Sequence, residues 1–173
     1  MKRPIIFACL LVMTAFFFSC HKSNLNYEKD FNKSYNAWLS FKETSGNSYR
    51  YSVTGGSWTG FGWQTTITVT DGKVTERHYK LAPPPGSTVT IPADKLEWTE
   101  TGNEIGTHDG SAAALTLDEV YERARTEWLV KRSGAKTYFE AKNNGMLSSC
   151  GYVKDGCVDD CFTGISISSI QAL

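Results

Sequence analysis

The sequence predicts an α+β fold in two layers: an antiparallel sheet of about five to six strands with two main helices packed on one face. Three observations carry this. Two Asx-Gly turns, Asp71-Gly72 and Asn144-Gly145, sit between stretches of alternating apolar and polar residues, the mark of antiparallel hairpins. Residues 27–44 and 116–131 instead repeat apolar side chains at helical spacing. The order is therefore helix, three strands, a long connection, helix, three strands, without the strand-by-strand helical crossovers that a parallel sheet requires.

Residues 1–20, MKRPIIFACLLVMTAFFFSC, stand apart from this domain. Lys2 and Arg3 open the segment, residues 4–18 carry no charge, and Ser19 is small. The apolar stretch is shorter than the roughly 20 residues that span a bilayer, so the pattern is that of a secretory signal. Cys20 follows Ser19 at once. This arrangement resembles the lipobox of bacterial lipoproteins, with Phe17 where leucine is usual. The resemblance implies cleavage after residue 19 and acyl chains on Cys20, palmitate among them. His21 rather than Asp follows, which in that class implies sorting to the outer membrane. Residues 20–26 then form a lipidated cysteine and polar tether, six residues of which reach at most about 20 Å. The expected membrane partner is reached through this lipid.

Removing residues 1–19 from the 173 leaves 154, enough for a single domain over 27–173 with its own core. Losing Lys2 and Arg3 takes the balance from 18 basic and 18 acidic residues to 16 and 18, a formal charge of −2. With no basic stripe and no binding motif, nucleic acid is not an expected partner.

The first helix, 27–44, places Tyr27, Phe31, Ser34 or Tyr35, and Trp38 on one face. Asn24 or Asn26 is the expected cap, and Ser45-Gly46 the end. Residues 48–54 alternate with Tyr49, Tyr51 and Val53 on one side. Residues 62–70 do so with Trp63, Thr65, Ile67 and Val69. A two-residue type I′ turn at Asp71-Gly72 would pair Val69 with Val74 in the return strand, 73–80. Residues 81–114 change texture: Pro83-Pro84-Pro85-Gly86 cannot join a ladder, 88–91 suggest only a short extended piece, and 94–110 are polar around an isolated Trp98. This stretch is expected to be a long loop or insertion.

Thr116 and Glu119 form a capping box for the second helix, whose buried face is Leu117, Val120, Tyr121, Ala124 and Trp128. Lys131 and Arg132 suit its negative end, and Gly134 stops it. Strands are expected over 135–141, 146–153 and 164–170, the first two joined by the turn Asn143-Asn144-Gly145.

The chemistry-bearing residues form no recognised catalytic set. Cys150 falls on a core face of its strand. Cys157 and Cys161 lie in the next loop and are the favoured disulfide, with a bridge using Cys150 the alternative. A metal site on the cysteines would need His78 or His108 as a fourth ligand and has no paired C-x-x-C, so no metal is expected. Asp155, Asp159 and Asp160 do not match the EF-hand spacing. Ser133-Gly-Ala-Lys136 satisfies S-x-x-K, but the S-D-N and K-T-G elements that accompany it in penicillin-binding enzymes are missing. His108-Asp109 are adjacent, and neighbours seldom face each other. No cofactor motif is present, and no catalytic residue is assigned. The candidate ligand-binding residues are Trp58, Phe61 and Trp63, which alternate with glycine in TGGSWTGFGW at a hairpin tip and there expose ring faces.

The segments Ser48-Tyr-Arg-Tyr-Ser-Val53, Ile67-Thr-Val-Thr-Asp-Gly-Lys-Val74, Thr116-Leu-Asp-Glu-Val-Tyr121 and Gly164-Ile-Ser-Ile-Ser-Ser-Ile170 together resemble a bacterial family of unknown function, number 6174, whose members are mostly exported or lipid-anchored. The resemblance spans roughly residues 30–171. It implies an envelope protein with a two-layer domain and supplies no catalytic residues. The function expected is a non-catalytic binding or assembly module of the cell envelope with a protein or glycan partner. The alternative is a hydrolase-like enzyme with an unrecognised site using His108, Asp109 or the Asp155 loop.

Overall fold

The computed structural model describes residues 24–173. The signal-like segment 1–19, Cys20 and the start of the tether lie outside the described residues. Helix α1 (Glu28–Thr44) opens the domain with Glu28 and Asp30 in its first turn, where the helix dipole favours negative charge. The expected asparagine cap is not formed. Tyr27 takes the N-cap position in a left-handed conformation, φ 55°, with no side-chain cap. Asn26 is engaged elsewhere: its Nδ2 donates to Thr137 Oγ1 at 2.9 Å. Phe31, Ser34 and Trp38 form the buried face.

Strands β1 (Tyr49–Gly56), β2 (Gly62–Thr70) and β3 (Lys73–Ala82) form a meander. Asp71 and Gly72 both have positive φ, 50° and 75°, as a type I′ turn requires, and Val69 pairs with Val74. One bulge beyond that pair puts Glu76 opposite Thr68. It shifts the phase of β3, so that Arg77 opposes Ile67 and Tyr79 opposes Thr65 on the inner side.

The 81–114 stretch is not a plain loop. It contains a one-turn helix α2 (Ala93–Leu96), a fourth strand β4 (Glu97–Thr101) paired with β3, and a 3₁₀ turn (Gly102–Glu104). The extended piece expected at 88–91 forms no strand. Helix α3 (Leu117–Arg123) starts at the Thr116/Glu119 capping box and widens into a π turn over Ala124–Trp128. It ends short of the expected residue 131, because Val130 leaves the helix to bridge Leu25. Strands β5 (Ala135–Glu140), β6 (Ser149–Lys154) and β7 (Thr163–Ala172) complete the chain. Asn144 and Gly145 have φ 52° and 86° in the turn that brings Asn143 beside Met146.

The class is α+β with one open antiparallel sheet, and the sheet has seven strands in the order β4-β3-β2-β1-β7-β6-β5. The surplus over the expected number is β4. The final strand lies beside the first, so two meanders are joined through β1 and β7. Tyr49, Tyr51, Val53, Ile67, Val69, Ile165, Ile167 and Ile170 from the strands share one core with Phe31 and Trp38 of α1 and Leu117, Val120, Tyr121 and Trp128 of the second helical segment. Fully burying one such side chain contributes about 1.5–3 kcal/mol.

Tyrosines lock the layers together. The Tyr49 hydroxyl accepts from Leu117 N–H at 2.8 Å, and Tyr51 donates to Leu115 O at 2.6 Å. The Tyr121 hydroxyl donates to Ser34 O and accepts from Leu147 N–H. Burial pushes all three phenol pKa values up, so they are neutral partners.

Candidate functional site

The inner face of the sheet changes character toward β4. On β1 and β2 it is aromatic and aliphatic; on β3 and β4 it carries Arg77, opposite Glu100, and Tyr79, opposite Trp98. Arg77 and Glu100 are 3% and 0% exposed. The pair is bidentate, Nε to Oε2 and Nη2 to Oε1, each at 2.7 Å. Glu100 also accepts the backbone N–H groups of Gly106 and His108, both at 2.7 Å, the Thr107 hydroxyl at 3.3 Å and a His108 Nδ1 contact at 2.9 Å. Arg77 also donates through Nη2 to the carbonyl of His108 and through Nη1 to that of Ala112. Burial alone would raise the Glu100 pKa. The Arg77 guanidinium and the Gly106 and His108 amides outweigh burial and hold it well below the usual carboxylate range. The segment 105–112 is thus wrapped around a buried Arg77–Glu100 ion pair.

On this base sits a short stack of rings. Trp98 lies 5.1 Å from Tyr79 and 4.3 Å from His108, nearly parallel to both, and the Arg77 guanidinium is 5.0 Å from the Trp98 ring centroid. Tyr79, Asp94, Lys95, Trp98, Thr107, His108, Asp109 and Gly110 line a groove of about 400 Å³ beside it. The His108 side chain is 44% exposed. Its Nδ1 is held by Glu100, which leaves Nε2 as the ring nitrogen without a bond among the described residues. The arrangement offers a fixed imidazole, two carboxylates and an ammonium over a rigid floor.

The hairpin-tip aromatics are separated. Trp58 is 78% exposed, while Phe61 and Trp63 are half-buried. The tip is closed by Ser57 N–H donating to Phe61 O at 2.8 Å and Gly60 N–H to Ser57 O at 3.0 Å. Trp63 lies flat on Gly55, where any Cβ would strike the ring, and packs against the core. Among the described residues no two of these three rings stack on each other. Trp63 instead borders a groove of about 440 Å³ with Gly55, Gly56, Asp160, Cys161 and Phe162.

That groove exists because the sheet forks. Strands β1 and β7 pair only from Tyr49–Ala172 to Val53–Ile167, and beyond Val53 the first strand follows β2 while β7 follows β6.

Cys157 and Cys161 are bonded to each other, with Cα atoms 6.1 Å apart. Cys150 is a free, buried thiol whose pKa burial pushes up to about 12, which makes it an inert core residue. His78 is on the outer face, bonded to Glu97 at 2.9 Å and remote from the cysteines in register. Among the described residues no group of three or more His, Cys, Asp or Glu is placed to hold a metal ion. Asp155, Asp159 and Asp160 share the disulfide loop and are not part of the His108 groove.

The sequence pointed to His108 and Asp109 for the alternative activity, and to His108 as a candidate fourth metal ligand, but not to Glu100 or Arg77. The available signal was the alternation of Glu97, Trp98, Thr99 and Glu100, which reads as a strand once Glu100 is allowed inward. Comparison with protein-family models, with curated proteins and with solved structures finds no match to this chain.

Proposed function

We propose that this chain is a lipid-anchored module of the bacterial cell envelope, held at the outer membrane through Cys20, that binds a hydroxyl-rich ligand such as an envelope glycan in the His108 groove. Kinship with the family of unknown function, number 6174, belongs to the same reading and rests on the motifs quoted above. The observation that carries the binding reading is the preorganised Arg77–Glu100–His108 knot under an open groove. Its floor is fixed before a ligand arrives, so binding has little ordering cost. Asp94 and Asp109 supply acceptors for sugar hydroxyls, Lys95 a donor, and the Trp98 and His108 ring edges an apolar contact.

The test is titration of the purified lipoprotein with peptidoglycan fragments and lipopolysaccharide oligosaccharides. A double variant, Asp94→Asn with Asp109→Asn, touches exposed side chains and leaves the knot intact. Hydrogen bonds to charged groups contribute about 1.5–3 kcal/mol, so binding is expected to weaken at least tenfold. Unchanged affinity in the variant would remove this groove. A Trp58→Ala, Trp63→Ala variant run beside it reports on the hairpin tip.

One observation favours a second reading, a hydrolase-like enzyme. An imidazole oriented through Nδ1 by a carboxylate, with Nε2 free, has the geometry of a general base acting on water. Glycan turnover abolished by His108→Ala would establish it over simple binding.

A further inference from the structure

The strand register sorts every connection to one end of the sheet or the other. The β1–β2 tip follows Gly56, which pairs with Gly62; Ala82 ends β3 opposite Gly62; Glu97 opens β4 opposite Lys80; Ala135 opens β5 opposite Lys154; and Thr163 opens β7 opposite Tyr152. The segments 57–61, 83–92, 131–134 and 155–162 therefore emerge together. Pro84 lies against Gly60, and Asp160 and Cys161 share a groove with Trp63. The three most exposed large apolar side chains among the described residues are Val158 at 89%, Trp58 at 78% and Val89 at 62%. Each lies on a different connection, and all three connections belong to this end. Phe162, at 41%, adjoins them.

The chain also enters the domain here. Lys131 N–H donates to Asn24 O at 2.8 Å and Leu25 bridges Val130, just before the turn at Gly134 that leads into β5. Asn24 is four residues beyond Cys20, a span of at most about 14 Å. A ten-residue strand such as β7 is about 33 Å long, so so short a leash does not let the opposite end face the bilayer.

We infer that this end of the sheet is a bilayer-docking surface, with Trp58, Val89 and Val158 inserted at the level of the lipid headgroups. The inference rests on the anchoring of Cys20 proposed above. Tryptophan is favoured at that depth because its ring is apolar and its N–H stays wet. Charges of both signs flank the tips: Lys95, Lys131, Arg132 and Lys154 against Asp94, Asp155, Asp159 and Asp160. Docking is therefore by apolar insertion and does not need anionic lipid. Each tip is small, so the contact orients a protein that the acyl chains already hold.

The experiment places the full lipidated protein in phosphatidylcholine vesicles with brominated acyl chains and reads tryptophan emission. The chain has five tryptophans, so the share quenched in the wild type is assigned by comparison with Trp58→Phe in the same vesicles. Loss of Trp58 emission is expected in the wild type and absent in Trp58→Phe. It is also expected to shrink in a Val89→Ser, Val158→Ser variant that keeps Trp58 and stays vesicle-bound. Anchored protein with unquenched, water-exposed Trp58 would overturn the docking surface, leave the anchor standing, and free the tips for a soluble partner. An intact N-terminus by mass spectrometry would defeat the anchor, and this inference with it.

Discussion

Glu100 has no contact with water, and its charge persists because two guanidinium nitrogens, two amides and a hydroxyl converge on it. Removing the compensating partner is the damaging change. Arg77→Met would leave an unpaired buried carboxylate, and such losses are about 3–5 kcal/mol; urea unfolding at neutral pH measures it. The folded-state pKa of Glu100 is lowered, so its contribution to stability is complete above the unfolded value, about 4.3. It is lost as pH falls below that value toward the folded one. The wild type should therefore lose stability more steeply below about pH 4.3 than Glu100→Gln, whose starting stability is already lower. If the two acid curves run parallel, the charge is not what holds the loop. None of this was legible beforehand. A glutamate in an alternating polar stretch reads as solvent-facing, and only the Thr75 bulge, which sets Arg77 inward, reveals its partner.

Elements whose signal is local were the legible ones. Asp71-Gly72 needed two residues that tolerate positive φ and found them. The capping box at Thr116 needed only a hydroxyl and a carboxylate three residues apart, and both bonds form: Thr116 Oγ1 accepts from Glu119 N–H and Glu119 Oε2 accepts from Thr116 N–H. Thr116→Ala should destabilise the fold by about 1 kcal/mol, read as a lowered melting temperature. A much larger loss would mean that the cap also holds the 105–115 segment. Features set by partners elsewhere in the chain were not legible. The second helix stops early because Val130 is recruited by Leu25. Strand β4 exists because β3 offers it an edge, and its five residues carry no apolar run of their own. The three tip aromatics shared a sequence motif, yet strand alternation and Gly55 divided them between solvent and core.

For the molecule as a whole, the junction between the two meanders and their outer strands decides stability. Gly151 and Gly164 face each other across β6 and β7, and a Cβ on Gly164 would overlap the carbonyl and α-carbon atoms of Cys150 and Gly151. Those atoms are backbone and cannot swing aside without parting the ladder. Gly164→Ala is therefore expected to cost more than about 2 kcal/mol, with β5 and β6 losing amide-exchange protection first. A mild effect would show that the ladder flexes there. Phe162 covers Gly151, as Trp63 covers Gly55, so each arm of the fork has a glycine roofed by a ring.

Strand β7 is the last of the seven along the chain, yet it lies inside the sheet, between β1 and β6. Until its residues are available, β1 and β6 both present a bare edge, and Ile165, Ile167 and Ile170 are missing from the core. The β1–β7 pairing joins residues more than a hundred positions apart, and such distant partners slow folding to the native state. The topology thus postpones stable pairing of the two meanders until the residues of β7 are in place.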